Sequence, residues 1–205
     1  VREGKWPVLV YMHGGFALGE GDVSDCEPFL RAGFGVFAPA FRGENGNPGN
    51  FEFAYGELDD ARAALMHVRE IPEADPKRVV VFGHSAGGML ASLVSLYVEP
   101  GVLYTGSAGG LYGPSLFDHY PLPFGPSKME RKVRLFAPYV RHIKQPHWAC
   151  YGAKDDGTRA VSGAVQRSAS GRGLPFSVKE VPGDHFTSLP SCMRSYLDLV
   201  LPLVR

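Results

Sequence analysis

The apolar run Val79-Val80-Val81-Phe82 leads directly into Gly83-His84-Ser85-Ala86-Gly87, and Gly88 then opens a helix-like segment over residues 89–97. This order of strand, glycine-flanked serine and helix constrains the chain more than any other feature. A serine at the end of a buried strand suits a sharp turn only if small neighbours let two stretches of backbone pass closely. The helix that follows aims its first N–H groups at negative charge developing beside the hydroxyl. The unit predicts an α/β architecture and a nucleophile at Ser85.

The same alternation runs through the rest of the chain. Apolar runs at residues 8–12, 34–40, 147–151 and 176–181 have the length of strands covered on both faces, the habit of parallel sheets. Helical spacing is expected over 24–32, 54–70, 86–98 and 186–203. In the second of these, Leu58, Ala61, Leu65 and Val68 share one face. The fold class is therefore α/β, a doubly wound, mostly parallel sheet. At 205 residues a single domain spanning 1–205 is expected, large enough to bury a core.

Residues 101–146 break the rhythm, being rich in glycine, proline and aromatics such as Tyr104, Tyr112, Phe117, Tyr120, Phe124, Phe136 and Tyr139. One strand is expected near 102–107, then an insertion ending in a helix over 128–144. Irregular segments of this length are uncommon unless they form lids or binding loops, so a cap over the serine is expected at about 108–146.

A serine hydroxyl needs a base to take its proton and a further group to orient that base. Of the seven histidines, His185 follows the strand-like run 176–181 in the turn Pro182-Gly183-Asp184. Loops leaving the carboxyl ends of parallel strands share one edge, where sites form. The acid is expected on such a loop, and Gly152-Ala153-Lys154-Asp155-Asp156 supplies two candidates, with Asp155 preferred over Asp156. Oxyanion donors are expected from the backbone near Gly15 or Phe16, in the His13-Gly14-Gly15-Phe16 loop, together with Ala86. His13 reads as a structural brace, and His84 as projecting away from the nucleophile in a packing or hydrogen-bonding role.

The chain resembles the α/β-hydrolases, and more closely the catalytic domain of the prolyl oligopeptidase family and small carboxylesterases. The matching pieces are His13-Gly14-Gly15, Arg42-Gly43-Glu44-Asn45-Gly46, Gly83 to Gly88, Gly152 to Asp156 and Gly183-Asp184-His185-Phe186. They span nearly the whole chain. The resemblance implies a Ser85, Asp155, His185 triad in that chain order and an acyl-enzyme mechanism without metal or organic cofactor. The first run corresponds to the third strand of the usual fold, so a sheet of about six strands is expected. Val1 is not methionine, which points to a processed chain or a part of a longer protein. Without a β-propeller in the sequence, cleavage of small carboxylic esters is expected ahead of a peptidase or amidase acting on short peptides. A hydrolase-like fold that binds a ligand without turnover is the remaining alternative.

Lysine plus arginine number 21 and aspartate plus glutamate 21, which gives no electrostatic case for nucleic acid or an anionic membrane. No apolar run approaches the ~20 residues of a membrane span. Cys26, Cys150 and Cys192 allow at most one disulfide and show no metal-ligand spacing. Buried, unpaired thiols in a reducing, cytoplasmic setting are the expectation. Arg42 reads as a salt bridge to the acidic segment Glu57, Asp59, Asp60. The basic run from Lys128 through Arg131, Lys132 and Arg134 to Lys144 reads as a solvated helix face. No nucleotide fingerprint is present. The expected partner is a small ester or short peptide, and the sequence leaves oligomeric state undetermined.

Overall fold

The computed structural model describes residues 5–119 and 127–205. Strand β1 (Trp6–Met12) is followed by two short helices, α1 (Glu20–Asp25) and α2 (Glu27–Arg31), and the edge strand β2 (Gly35–Phe37). Helix α3 (Gly56–Val68) crosses to β3 (Ala74–His84), and α4 (Ser85–Val94) leads to β4 (Val102–Ala108). Then come α5 (Leu116–His119), α6 (Lys128–Val133), a 3₁₀ turn at Ala137–His142 and β5 (His147–Gly152). Helix α7 (Asp156–Ser170), β6 (Phe176–Val181), α8 (Leu189–Val200) and a last 3₁₀ turn (Leu201–Leu203) complete the chain.

The strands form one six-stranded sheet in the order β2-β1-β3-β4-β5-β6, with every pair parallel. Alternate residues feed two cores. Val8, Val10, Val79 and Val81 pack with α3, α4 and α7 through Leu65, Leu93 and Val165. Leu9, Tyr11, Val80 and Phe82 face the other way, toward Phe29 of α2 and Met193, Tyr196 and Val200 of α8. Burial on both faces is why these strands read as continuous apolar runs. Tyr196, fully buried, donates from its hydroxyl toward the carbonyls of Val81 (2.8 Å) and Tyr104 (3.0 Å), which seats α8 against the middle of the sheet.

Several expected boundaries shift, each for a local reason. The second strand shrinks from 34–40 to Gly35–Phe37, since Pro39 lacks an N–H for the ladder. The helix expected at 24–32 splits at Cys26, and Pro28 occupies the first turn of α2, where no N–H is needed. The helix expected at 128–144 is α6 followed by a 3₁₀ turn that opens on Ala137-Pro138. The basic run is solvated at Lys128, Lys132, Arg141 and Lys144, but not throughout. Arg134 is 1% exposed, bonded to Glu130 and the Glu52 carbonyl, while Arg131 pairs with Asp118. Of the cap aromatics, Tyr120 and Phe124 lie outside the described residues.

The expectation of unpaired thiols is also overturned. Cys150, at the end of β5, is joined to Cys192 of α8, and only Cys26 is a free, buried thiol. The two sulfurs meet because α8 lies across β5 on the second core face.

His147, fully buried, sits between two hydroxyls, Thr105 Oγ1 at 2.8 Å from Nδ1 and Ser107 Oγ at 3.0 Å from Nε2. Burial pushes its pKa down to about 3, and burial lowers that of His84 as well.

Two predictions follow from these contacts. The disulfide closes a separation of 42 residues, so Cys150→Ala/Cys192→Ala is expected to lose about 4 kcal/mol of unfolding free energy in urea. A loss below about 1 kcal/mol would show that the crosslink contributes little. For His147 the unfolded chain binds its proton near pH 6.5 and the folded chain near pH 3. Its contribution is therefore complete above pH 6.5 and declines as pH falls through that window, approaching about 1.4 kcal/mol per pH unit. His147→Gln should unfold with a visibly shallower acid slope than wild type; identical slopes would refute the assignment.

Candidate active site

The register of the sheet sets strand ends side by side. Met12 lies opposite Gly83, His84 opposite Ala108, Ala108 opposite Cys150, and Gly152 opposite Val181. The loops after β1, β3, β4, β5 and β6 consequently emerge at one edge. The strand order reverses at β1, so the crevice between β1 and β3 is the switch point where parallel sheets hold ligands.

Ser85 occupies the left-handed region at φ 54°, a conformation that a serine holds only under tertiary constraint. The constraint is visible in its glycines. A Cβ on Gly83 would collide with the Gly87 carbonyl, and one on Gly87 with the carbonyls of Met12 and His13. Strand, elbow and helix are thus in backbone contact, and Ser85 is the first residue of α4.

His185 reaches Ser85 from the loop after β6, with Nε2 2.9 Å from Oγ. Its other nitrogen, Nδ1, lies 2.8 Å from Asp155 Oδ2. Asp155 also caps α7, its Oδ1 accepting from the Thr158 N–H at 3.2 Å. Asp156, the alternative acid, is the exposed first residue of α7 and makes no contact with His185. Burial opposes ionisation of Asp155, but its bonds from His185 and Thr158 prevail and hold the carboxyl below the usual carboxylate range.

Backbone contacts fix the two loops to each other. The Lys154 N–H donates to the Gly183 carbonyl at 2.9 Å, and a side chain at Gly152 would strike Gly183 and Asp184. Asp184, which sequence reasoning left without a role, folds the His185 turn by accepting from the N–H groups of Phe186 (3.0 Å) and Thr187 (2.9 Å). The disulfide ties the strand carrying Asp155 to the helix that follows His185.

His84 donates from Nε2 to the His185 carbonyl at 2.9 Å, a brace on the loop that carries His185, and it also lines the cavity beside Ser85. His13 is buried and pairs through Nε2 with Glu44 at 2.8 Å; the same carboxylate accepts from the Phe41 N–H. Glu44 was quoted only as part of a motif, yet it locks the loop after β1. Arg42 grips Asp60 with two nitrogens at 2.8 and 2.7 Å and also faces Glu52. It serves the scaffold, not the cavity.

Ser85 opens into a cavity of about 820 Å³ lined by Gly15, Phe16, Ala86, Met89, Tyr112, Leu116 and His185, among others. Gly15, Phe16 and Ala86 lie together there with the serine, and a Cβ on Gly14 would stand 3.3 Å from that of Ser85. Two groups in this wall escaped the sequence reading: the Tyr112 hydroxyl, 2.9 Å from Ser85 Oγ, and the half-buried pair Asp22 and Asp25. Tyr112 was noted only as one of several aromatics in an irregular segment, and nothing local marks an acid on α1 as facing the serine. A separate apolar groove of about 600 Å³ lies along the β2 edge between Trp6, Leu30 and Phe37, and no titratable side chain lines it.

A nucleophile elbow at a sheet edge, with a histidine and a carboxylate from later loops, defines a class of hydrolase fold. Residues 8–198 match the family described as the alpha/beta hydrolase family, and the chain belongs to it. Over 94 residues it is 32% identical to the uncharacterized peptidase YtmA of Bacillus subtilis (strain 168), covering 45% of this chain and 37% of that protein. The match thus spans little more than a third of that relative's length. An acylaminoacyl peptidase from Pyrococcus horikoshii superposes with TM-score 0.77 at 17% identity, over 98% of this chain and 36% of that one. Esterase B from Lactobacillus rhamnosis superposes with TM-score 0.72 at 17% identity, over 99% of this chain and 77% of that one. At these identities the superpositions establish the fold, which is that of both an esterase and a peptidase.

Proposed function

We propose that this chain is a serine hydrolase that cleaves small carboxylic esters through an acyl-enzyme on Ser85. The observation that carries the reading is the unbroken line from Asp155 Oδ2 to His185 to Ser85 Oγ, with both contacts under 3 Å, opening on a cavity large enough for a small substrate.

The chemistry follows from the geometry. His185 Nε2 accepts the Ser85 proton while Oγ forms its bond to the carbonyl carbon. The ionised Asp155 keeps the remaining proton on Nδ1 and stabilises the imidazolium. The N–H of Ala86, at the positive end of α4, and an N–H near Gly15 or Phe16 receive the oxyanion, each worth about 3 kcal/mol in the transition state. The imidazolium then protonates the leaving alcohol as the C–O bond breaks. Water then attacks the acyl-enzyme, its proton going to His185; the bond from the acyl carbon to Oγ breaks, Oγ takes the proton back from His185, and the acid is released. The described residues of the proposed cap contribute Tyr112 and Leu116 to the cavity wall.

A second reading, hydrolysis of short peptides or amides, is favoured by Asp22 and Asp25. These acids share the cavity wall, and burial together with Asp22 raises the Asp25 pKa. Such a pair suits a cationic amine on the substrate.

Three experiments test these roles. A fluorophosphonate probe is expected to label the parent and not Ser85→Ala; a folded parent that resists labelling would remove the enzyme reading and leave a ligand-binding protein. Once labelling of the parent is established, the unlabelled protein is expected to turn over p-nitrophenyl acetate and butyrate faster than aminoacyl or prolyl anilides, whereas turnover of the anilides alone would select the peptidase. Separately, Asp155→Asn is expected to cut kcat on p-nitrophenyl acetate by roughly 10³–10⁴-fold, because an amide favours the wrong histidine tautomer. Asp156→Asn should stay within about threefold of the parent, and the reverse ranking would reassign the acid.

A further inference from the structure

We infer that the Tyr112 hydroxyl is a catalytic hydrogen-bond donor to the leaving group, acting beside the Ser85 hydroxyl and the His185 imidazole. The inference rests on the reading of Ser85 as the nucleophile.

Its position is built into the backbone. Beyond β4 the chain turns at Gly109, at φ 60°, where a Cβ would sit 2.9 Å from the His185 ring. The next residue, Gly110, packs so closely on Gly88 of α4 that any side chain there would collide with it. Leu111 is buried, so Tyr112 leaves this tight passage directly beside the elbow. Its ring stands 6.3 Å from that of His185, tilted by 45°. The hydroxyl is 2.9 Å from Ser85 Oγ and 3.4 Å from His185 Nε2.

Proton counting assigns the donor. Ser85 carries one hydroxyl proton, and that proton must point to Nε2 for His185 to take it. Oγ therefore accepts from Tyr112. Once Oγ has bonded to the carbonyl carbon, three oxygens or nitrogens surround that carbon besides the acyl chain. In the proposed scheme the oxyanion faces the Ala86 N–H and an N–H near Gly15 or Phe16. The leaving atom must face Nε2, which protonates it. A group within reach of both Oγ and Nε2 stands on the leaving atom's side, and Tyr112 is that group.

In the collapse of the intermediate the C–O bond to the alcohol breaks and its electron pair stays on the departing oxygen. His185 supplies the proton, and Tyr112 keeps its own proton while donating a hydrogen bond to the same oxygen. The benefit grows with the charge that oxygen develops, so it is largest for poor leaving groups such as simple alkoxides and smallest for nitrophenolate. The substrate class this favours is the alkyl ester rather than the activated aryl ester.

Tyr112→Phe isolates the hydroxyl while keeping the ring. With one acyl group throughout, kcat/KM for p-nitrophenyl, phenyl and ethyl acetate reports acylation alone. The expected loss is about two- to threefold for the p-nitrophenyl ester and about tenfold or more for the ethyl ester, so that the dependence on leaving-group basicity steepens. Equal losses across the series, or none, would overturn the inference. Fluorophosphonate labelling of both proteins separates the two levels of failure. If both label and the series is flat, Tyr112 alone is misassigned; if a folded parent does not label, the nucleophile reading falls and this one falls with it.

Discussion

Everything at this sheet edge depends on the backbone contact between the elbow and the first strand. Gly87 lies against the carbonyls of Met12 and His13, and Gly83 against the carbonyl of Gly87. That contact holds Ser85 at positive φ, a conformation costing on the order of 1–3 kcal/mol that persists only where its surroundings over-determine it. The surroundings here are the continuous apolar faces of β1 and β3, buried on both sides of the sheet. The strain is thereby paid at the site from packing gained elsewhere. Its product is a hydroxyl lifted clear of the sheet at the start of a helix.

The same edge shows what parallel pairing does for long-range geometry. Ser85 and His185 are separated by a hundred positions in sequence, and their loops leave β3 and β6, whose ends β4 and β5 hold in a fixed register. Each loop is then pinned by a short-range device of its own. Glu44 clamps His13 and Phe41, His84 braces the His185 carbonyl, and Asp184 folds the turn before His185. Glu44 and Asp184 stand outside the lining of the cavity, and His84 lies on it. They convert a rough neighbourhood, which any parallel sheet supplies, into contacts near 2.9 Å.

Legibility in the sequence divides along that line. Element types and their order were readable because two-faced burial leaves an unmistakable pattern, as at Val79 to Phe82. The positions of Ser85, Asp155 and His185 were readable because each follows a strand and a turn glycine. Features that depend on distant elements were not. Nothing near Cys150 or Cys192 indicates that α8 crosses β5, and the odd cysteine count pointed the other way. Arg134 looked like a surface cation because its burial requires the Glu52 loop to fold over it. Tyr112 carries no local mark either. Its place is set by Gly109 and Gly110 pressing on His185 and Gly88, contacts between segments that sequence proximity does not pair.

Burial across the site is graded, and the grading fits the chemistry. The Asp155 side chain is 10% exposed and that of His185 24%. Reduced water around the acid strengthens its attraction to a charged imidazole, since the same pair of charges interacts several times more strongly away from bulk solvent. His185 is the more open partner, which suits the proposed base, since it would pass protons to a leaving alcohol and receive them from water. Phe16 and Phe186 stand exposed at the cavity wall beside it, an apolar rim that can seat an acyl or alkyl group without sealing the cavity. The proposed ester hydrolysis would need this compromise. In that scheme deacylation calls for water at the carbonyl, acylation gains from a dry acid and fixed donors, and the two demands would be met at opposite ends of one imidazole ring.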